Sequence, residues 1–220
     1  MKHPLNQAVF VTSTAAPEKL PPATGEVAFA GRSNAGKSSA LNALTRRHNL
    51  ARVSRTPGRT QTINFFHIGG RPDLFLADLP GYGYAKVPQT MRRQWAGLIE
   101  NYLSRRKTLR GLILLMDIRH PFTDLDCQLL DWYQPAADRP LHILLTKADK
   151  LSRSQASLVL AQARKALADR PGCSVQLFSC PARTGVDEAE LMVMKWLGIA
   201  EEPAPAATAG PEPAGRPDHA

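Results

Sequence analysis

The sequence predicts a three-layer α/β fold: a mostly parallel six-stranded sheet with one antiparallel edge strand and helices on both faces. Three observations predict it. An apolar strand-like run, Val27-Ala28-Phe29-Ala30, leads into Gly31-Arg32-Ser33-Asn34-Ala35-Gly36-Lys37-Ser38 and then into a helical stretch, so that G-x-x-x-x-G-K-[ST] stands between a strand and a helix. Strand-like runs then alternate with helical ones through the rest of the chain. Ile63–Ile68 and Leu74–Asp78, joined across the tight turn at Gly69-Gly70, form an antiparallel hairpin that supplies the edge strand.

Residues 1–24 are broken by Pro17, Pro21 and Pro22 and are expected to pack on the domain as an extension, with Val9-Phe10-Val11 docked as a short extended piece. The domain proper takes residues 25–200. After the glycine-rich loop, Ser39–Thr45 reads as a helix running to about Arg47, without interior Gly or Pro. Asn49–Thr62 is rich in Arg, Thr, Pro and Gly and has no period, so it is a long loop, and long loops are functional or disordered. The hairpin follows and ends on Asp78-Leu79-Pro80-Gly81, which opens a second glycine-punctuated loop through Pro88. Met91, Trp95, Leu98, Ile99, Tyr102 and Leu103 then share one helical face, and these aromatics suit a core better than a base-stacking platform.

Leu112–Asp117 is apolar on both faces, as a central parallel strand should be. A helix over Asp124–Tyr133, a strand over Leu141–Thr146, a helix over about Ser154–Ala168, a strand over Ser174–Ser179 and a helix over Asp187–Leu197 complete the alternation. Beyond Ala200 the chain turns to Pro, Ala, Gly and Glu without any larger aliphatic or aromatic residue, so residues 201–220 are expected to be a disordered tail.

Composition narrows the class. A 43% hydrophobic and 21% charged chain of 220 residues suits one ordinary globular domain with extensions. No apolar run is long enough to span a membrane, and the start lacks the apolar centre of a secretory signal. Cys127, Cys173 and Cys180 are too few and too scattered for a disulfide framework or a zinc site, which points to a reducing cytosol. The net charge is +9; the last twenty residues carry −3, so the preceding 200 carry +12. A body so basic suits a polyanion, RNA before membrane, although a genome's preference for Arg would also produce it.

The motifs together carry the chemistry. Glycines in the Gly31–Ser38 loop let backbone N–H groups turn toward an anion, and the helix that follows adds its positive dipole end. Lys37 can reach the outer phosphates and the Ser38 hydroxyl can ligate Mg²⁺, which makes the chain a nucleotide binder. Thr146-Lys147-Ala148-Asp149 stands at the carboxyl end of a later strand, where open α/β sheets bind ligands. An Asp there accepts both N1–H and the exocyclic amine of guanine, a donor pair that adenine lacks, while the Lys147 stem lies along the base. Asp78, followed by Leu79, Pro80 and Gly81, fits D-x-x-G: the carboxylate holds Mg²⁺ through water and the Gly81 N–H senses a γ-phosphate. Thr60, within Gly58-Arg59-Thr60-Gln61-Thr62, is the second hydroxyl ligand for the metal, and Phe178-Ser179-Cys180 supports the base with backbone groups. Ras-like GTPases place a water-orienting Gln directly after D-x-x-G, whereas this chain has Tyr82. No residue is an obvious catalytic base; in a group of GTPases with a hydrophobic residue there, an Asn at the loop position of Asn34 helps hold K⁺, which then does the work of an arginine finger. Lys37, Thr60 and Asn34 are the catalytic candidates, and hydrolysis is expected to be slow until K⁺ or a partner completes the site.

Ala28–Asn42, Thr56-Pro57-Gly58-Arg59-Thr60-Gln61, Asp78-Leu79-Pro80-Gly81-Tyr82-Gly83-Tyr84-Ala85, Met116-Asp117-Ile118-Arg119-His120-Pro121 and Leu144–Leu151 together resemble the bacterial EngB (YihA/YsxC) family of ribosome-biogenesis GTP-binding proteins, among the TrmE-Era-EngA-EngB-like GTPases. The resemblance covers roughly residues 5–200; Thr at 146 is that family's habit, whereas Cys180 departs from its usual Ala or Ser. It implies a P-loop GTPase fold of the Ras-like kind and a cytoplasmic, monomeric, Mg²⁺-dependent GTP/GDP switch. It further implies action on a precursor of the large ribosomal subunit, through rRNA or ribosomal proteins, and a need for the protein in cell division and septation. The competing reading is an RNA-binding assembly factor that holds GTP and scarcely hydrolyses it, which Tyr82 keeps open. A metabolic kinase fails on Asp149 and on the lack of a lid or acceptor segment.

Overall fold

The computed structural model describes residues 4–51, 62–83, 89–135 and 138–199, the side chains of residues 17 and 89–95 excepted. Its strands are β1 (Val9–Thr14), β2 (Gly25–Gly31), β3 (Ile63–Ile68), β4 (Arg71–Asp78), β5 (Leu109–Asp117), β6 (Leu141–Thr146) and β7 (Cys173–Leu177). Its helices are α1 (Lys37–Leu44), α2 (Gln89–Arg105), α3 (Asp124–Tyr133), α4 (Arg153–Ala166) and α5 (Val186–Leu197). They build one sheet in the order β1-β3-β4-β2-β5-β6-β7. The five strands from β4 to β7 run parallel, and β3 and then β1 are added antiparallel.

The sheet therefore has seven strands and two antiparallel members, where six strands and one were expected. The additional strand is β1, which the sequence marks only as a docked extended piece. The reason is physical: without it, β3 would present a row of unpaired backbone groups, and the Val9-Phe10-Val11-Thr12 run is β-branched and aromatic. The Phe10 ring meets Phe66 edge-on at 5.8 Å, and Ser13 Oγ donates to Asn64 Oδ1 at 2.8 Å.

Alternation along the strands splits the core between the two faces of the sheet. Ala28, Ala30, Phe65, Leu114 and Met116 meet α2, α3 and α4 through Ile99, Tyr102, Leu103, Leu129, Leu130 and Ala163. Val27, Phe29, Phe66 and Leu115 face α1 and α5 through Leu41, Leu44, Val193 and Leu197. β2 and β6 are buried along their whole lengths, as strands covered on both sides must be. Among the described residues no helix is long and apolar enough to cross a membrane. The three cysteines are unpaired and half-buried, and burial pushes each thiol above its ordinary value, away from thiolate reactivity. The tail over residues 201–220 lies outside the described residues.

Because β4, β2, β5 and β6 are adjacent and parallel, their carboxyl ends line one edge of the sheet. That edge brings together Asp78, the Gly31–Ser38 loop, Asp117 and Thr146.

Candidate nucleotide site

The loop between β2 and α1 has the backbone of an anion cradle. Asn34 and Gly36 are both in the left-handed region, at φ 64° and 94°, which a non-glycine residue rarely adopts. Gly31 is required for a different reason: a Cβ there would lie 2.8 Å from the carbonyl oxygen of Leu115. Ser33 N–H donates to Tyr82 O at 2.6 Å and Ala35 N–H to Arg32 O at 2.9 Å. Among the described residues the N–H groups of Asn34, Gly36, Lys37 and Ser38 make no backbone hydrogen bond, so they and the N-terminal end of α1 are the donors left for phosphate oxygens. The Asn34 side chain is exposed and makes no hydrogen bond among the described residues, so it does not cap its own turn.

Asp78 leaves the end of β4 toward this loop. Its Oδ1 pairs with Lys37 Nζ, and its Oδ2 accepts from Asn64 Nδ2 at 3.2 Å. Asn64 has no assigned role in the sequence reading; its place opposite Asp78 appears only in the β3–β4 register. The Ser38 hydroxyl sits in the first turn of α1 and Asp78 reaches the loop from the adjacent strand, an oxygen-only pair that suits a hard cation such as Mg²⁺. Gly58, Arg59, Thr60 and Gln61 lie outside the described residues. Thr62 stands just before β3, its Oγ1 2.5 Å from Ser13 Oγ. Leu79 is buried and its N–H donates to Phe29 O at 3.0 Å; Pro80 is buried and Gly81 half-buried behind it.

Tyr82 is turned away from this edge. Its ring is 2% exposed, and its hydroxyl donates to Asp126 Oδ1 at 2.6 Å. The other oxygen of Asp126 takes Thr123 N–H at 3.0 Å and Thr123 Oγ1 at 2.7 Å, closing the N-terminal cap of α3. Burial, and then the neighbouring Asp126 carboxylate, push the Tyr82 phenol well above its ordinary value. Its backbone meanwhile forms a parallel bridge with Arg32 in the phosphate loop. Tyr82→Phe is expected to leave Asp126, 1% exposed, without this donor and to lower stability by about 1–3 kcal/mol. GTP hydrolysis should change little. Urea unfolding and single-turnover hydrolysis check this, and a tenfold or greater loss of rate at unchanged stability would place Tyr82 at the nucleotide.

The Thr146–Asp149 motif is tied to the loop directly. Thr146 Oγ1 is 2.7 Å from Ala35 O and 3.1 Å from Met116 O, so this buried hydroxyl joins β6 to the phosphate loop. Lys147 is left-handed at φ 59°, and its ammonium pairs with Asp117 Oδ2 at 2.9 Å. Asp117 is also held by Arg119, at 2.9 Å to Oδ1 and 2.7 Å to Oδ2. The Arg119 guanidinium, and then Lys147, keep its carboxyl well below the usual range. Asp117 thus fixes the Lys147 side chain, a contact that no spacing rule revealed. Ala148 N–H donates to Phe178 O at 3.2 Å, which sets the motif against the loop after β7.

Asp149 Oδ1 accepts Ser179 Oγ at 2.7 Å, and its Oδ2 pairs with Lys150 at 3.1 Å. The Ser179 hydroxyl, and then Lys150, lower the Asp149 pKa, so it stands as an ionised double acceptor. Backbone support from Ser179 was expected, yet its N–H is committed to Thr184 O at 2.9 Å and it acts through its hydroxyl. Cys180 is half-buried beside it, and its carbonyl accepts from Arg183 N–H at 3.3 Å.

The arrangement is matched by known proteins. The family described as "50S ribosome-binding GTPase" matches residues 26–147, more than half of the chain. A protein of Thiobacillus denitrificans named "Probable GTP-binding protein EngB" is 55% identical over 193 residues, covering 88% of this chain and 92% of that protein. One of the same name from an Azoarcus species is 55% identical over 211 residues, covering 94% and 97%. A crystal structure titled as a probable GTP-binding protein engB covers 79% of this chain and 99% of its own at a TM-score of 0.60. At 18% identity it speaks for the fold, that of a P-loop GTPase. By its sequence, the chain belongs to the EngB family of GTP-binding proteins.

Proposed function

We propose that this chain is a cytoplasmic, monomeric GTP switch that hydrolyses GTP slowly to GDP and phosphate and acts on a precursor of the large ribosomal subunit. The observation that carries the guanine reading is Asp149, ionised and aimed by Ser179, in a motif that Thr146 ties to the phosphate loop. Free N–H groups of the loop and the Lys37 ammonium take the phosphates. Ser38 and Asp78, with Thr60 as the further hydroxyl, would hold Mg²⁺, which when bound neutralises phosphate charge. Gly81, next to the bridge between Tyr82 and Arg32, would sense a γ-phosphate through its N–H.

Ribosomal action is supported by the family's description and by the +12 charge of residues 1–200. On this reading a requirement in division and septation follows from failed ribosome assembly. The second reading, a factor that holds GTP and scarcely hydrolyses it, is favoured by the burial of Tyr82, whose hydroxyl is committed to Asp126 and so does not orient water from the position after D-x-x-G.

Asn34 separates the two. Its exposed, unspent amide on the loop is a ligand for K⁺, and the ion would serve where an arginine finger serves elsewhere. Single-turnover hydrolysis should be faster in KCl than in NaCl, and Asn34→Ala should abolish the difference while GDP affinity stays within a few-fold. Equal rates in the two salts, with and without large-subunit particles, would favour the second reading.

A further inference from the structure

The pole opposite the phosphate loop carries a basic cavity of about 350 Å³, between the last turn of α2 and the start of β5. β5 spans Leu109 to Asp117, so this pole is roughly 25 Å from the nucleotide edge. We propose that the cavity is a phosphate-backbone site for RNA, with Arg105 and Lys107 as its phosphate-binding cations.

The floor is already neutralised. Glu26, fully buried, accepts Tyr102 Oη at 2.5 Å, Arg106 Nε at 2.7 Å and Thr108 Oγ1 at 2.8 Å. Its charge is spent on Arg106, and it offers no exposed carboxylate to repel an anion. Other arginines at this pole keep their charge but have donors committed to backbone carbonyls. Arg110 donates to Leu197 O and Thr24 O at 3.1 and 2.9 Å, and Arg139 donates to Leu103 O.

Arg105 and Lys107 differ from these. Both are exposed cavity-lining residues, and neither is in an ion pair or hydrogen bond among the described residues. Asn101, one helical turn before Arg105 on the same side of α2, adds an unspent amide to the lining. Among the described residues the lining therefore offers cations and donors and no free carboxylate. That set suits a phosphodiester, which only accepts. An acidic peptide would bring N–H groups that find few acceptors here. The one aromatic of the lining, Tyr102, is 3% exposed with its hydroxyl committed to Glu26, so no stacking face is presented for a base. Contact with the backbone, without reading of sequence, is what remains.

The inference rests on the ribosomal reading for its biological partner, and it gives that partner's RNA a handle far from the nucleotide. α2 begins eight residues after Gly81 and ends at this cavity, so RNA held here grips the far end of the helix that follows the D-x-x-G loop.

The test uses the full chain and a fluorescein-labelled RNA hairpin, titrated by anisotropy over a range of KCl concentrations. Arg105→Gln with Lys107→Gln is compared with Arg164→Gln with Lys165→Gln, an exposed pair in the last turn of α4 that removes the same charge. The cavity pair should weaken binding about tenfold and make the log–log salt slope shallower by roughly 1.5, as for two lost phosphate contacts. The α4 pair should do markedly less, and GDP affinity should hold in both. Equal losses from the two pairs, no loss from either, or no binding of the hairpin by the unaltered chain would overturn the site. Loss of binding to intact large subunits with unchanged binding to protein-free rRNA would overturn it in favour of an acidic ribosomal protein. Hairpin binding that depends on the cavity pair, without association with ribosomal particles, would uphold the site and sink the ribosomal reading alone.

Discussion

Asp149→Asn is expected to move base preference from guanine to xanthine. In the native chain both carboxylate oxygens are oriented, one by the Ser179 hydroxyl at 2.7 Å and the other by Lys150 at 3.1 Å, and burial does not neutralise them. Guanine presents N1–H and an exocyclic amine, two donors that an ionised carboxylate accepts together. Charge-assisted hydrogen bonds of this kind contribute about 1.5–3 kcal/mol each, so losing the pair should weaken GDP by roughly 100-fold or more. Xanthine carries a carbonyl where guanine has its amine, and the Asn amide can donate to it. Titration with fluorescent GDP and XDP decides the matter. A variant that still prefers the guanine nucleotide would remove Asp149 from the base site.

Lys37→Ala should lose GDP and GTP alike. The ammonium pairs with Asp78 across the loop, in a setting where both side chains are about one-tenth exposed. Its removal deletes the cation proposed to meet the phosphates and leaves the Asp78 carboxylate without its partner beside the loop. Truncating one member of a buried charge pair across a binding interface, here the Lys37 ammonium against phosphate, costs about 2–5 kcal/mol, so affinity should fall by at least roughly 30-fold. Ser38→Ala should differ, because it removes a metal ligand and no charge. Its defect should appear with Mg²⁺ present and shrink when the metal is chelated. Calorimetric titration with and without Mg²⁺ checks both, and equal losses for Ser38→Ala under the two conditions would count against Ser38 as a ligand.

The parts of the site legible in the sequence are those whose chemistry is local. Gly31–Ser38 is one contiguous loop between a strand and a helix, and Thr146–Asp149 stands at a strand end that the apolar run before it announces. The limits of α3, β3 and β6 are equally local, set by the Thr123 cap, the Gly69-Gly70 turn and unbroken apolar stretches. What escaped depends on register between distant segments. Asn64 meets Asp78 only because β3 and β4 pair as they do, and Ser179 reaches Asp149 across thirty residues. Asp117 holds Lys147 from the neighbouring strand, so the Met116–Pro121 motif is visible in the sequence without its purpose. Tyr82 stands out as the residue in the place of a Gln; that its hydroxyl closes on the α3 cap could be seen only from packing. β1 was missed as a strand because its pairing supplies what its short, proline-flanked segment lacks.

On the proposed function, nucleotide decides whether the protein holds a ribosomal partner. A switch must bind its target differently in its two states, or nucleotide does nothing to it. The direct measurement is co-sedimentation of the full chain with large-subunit particles, in GTP or a non-hydrolysable analogue against GDP, at two salt concentrations. Association is expected in the GTP state, much less in the GDP state, with weakening by salt of roughly tenfold or more over a few-fold rise. Association that is the same in GTP, in GDP and without nucleotide would contradict it.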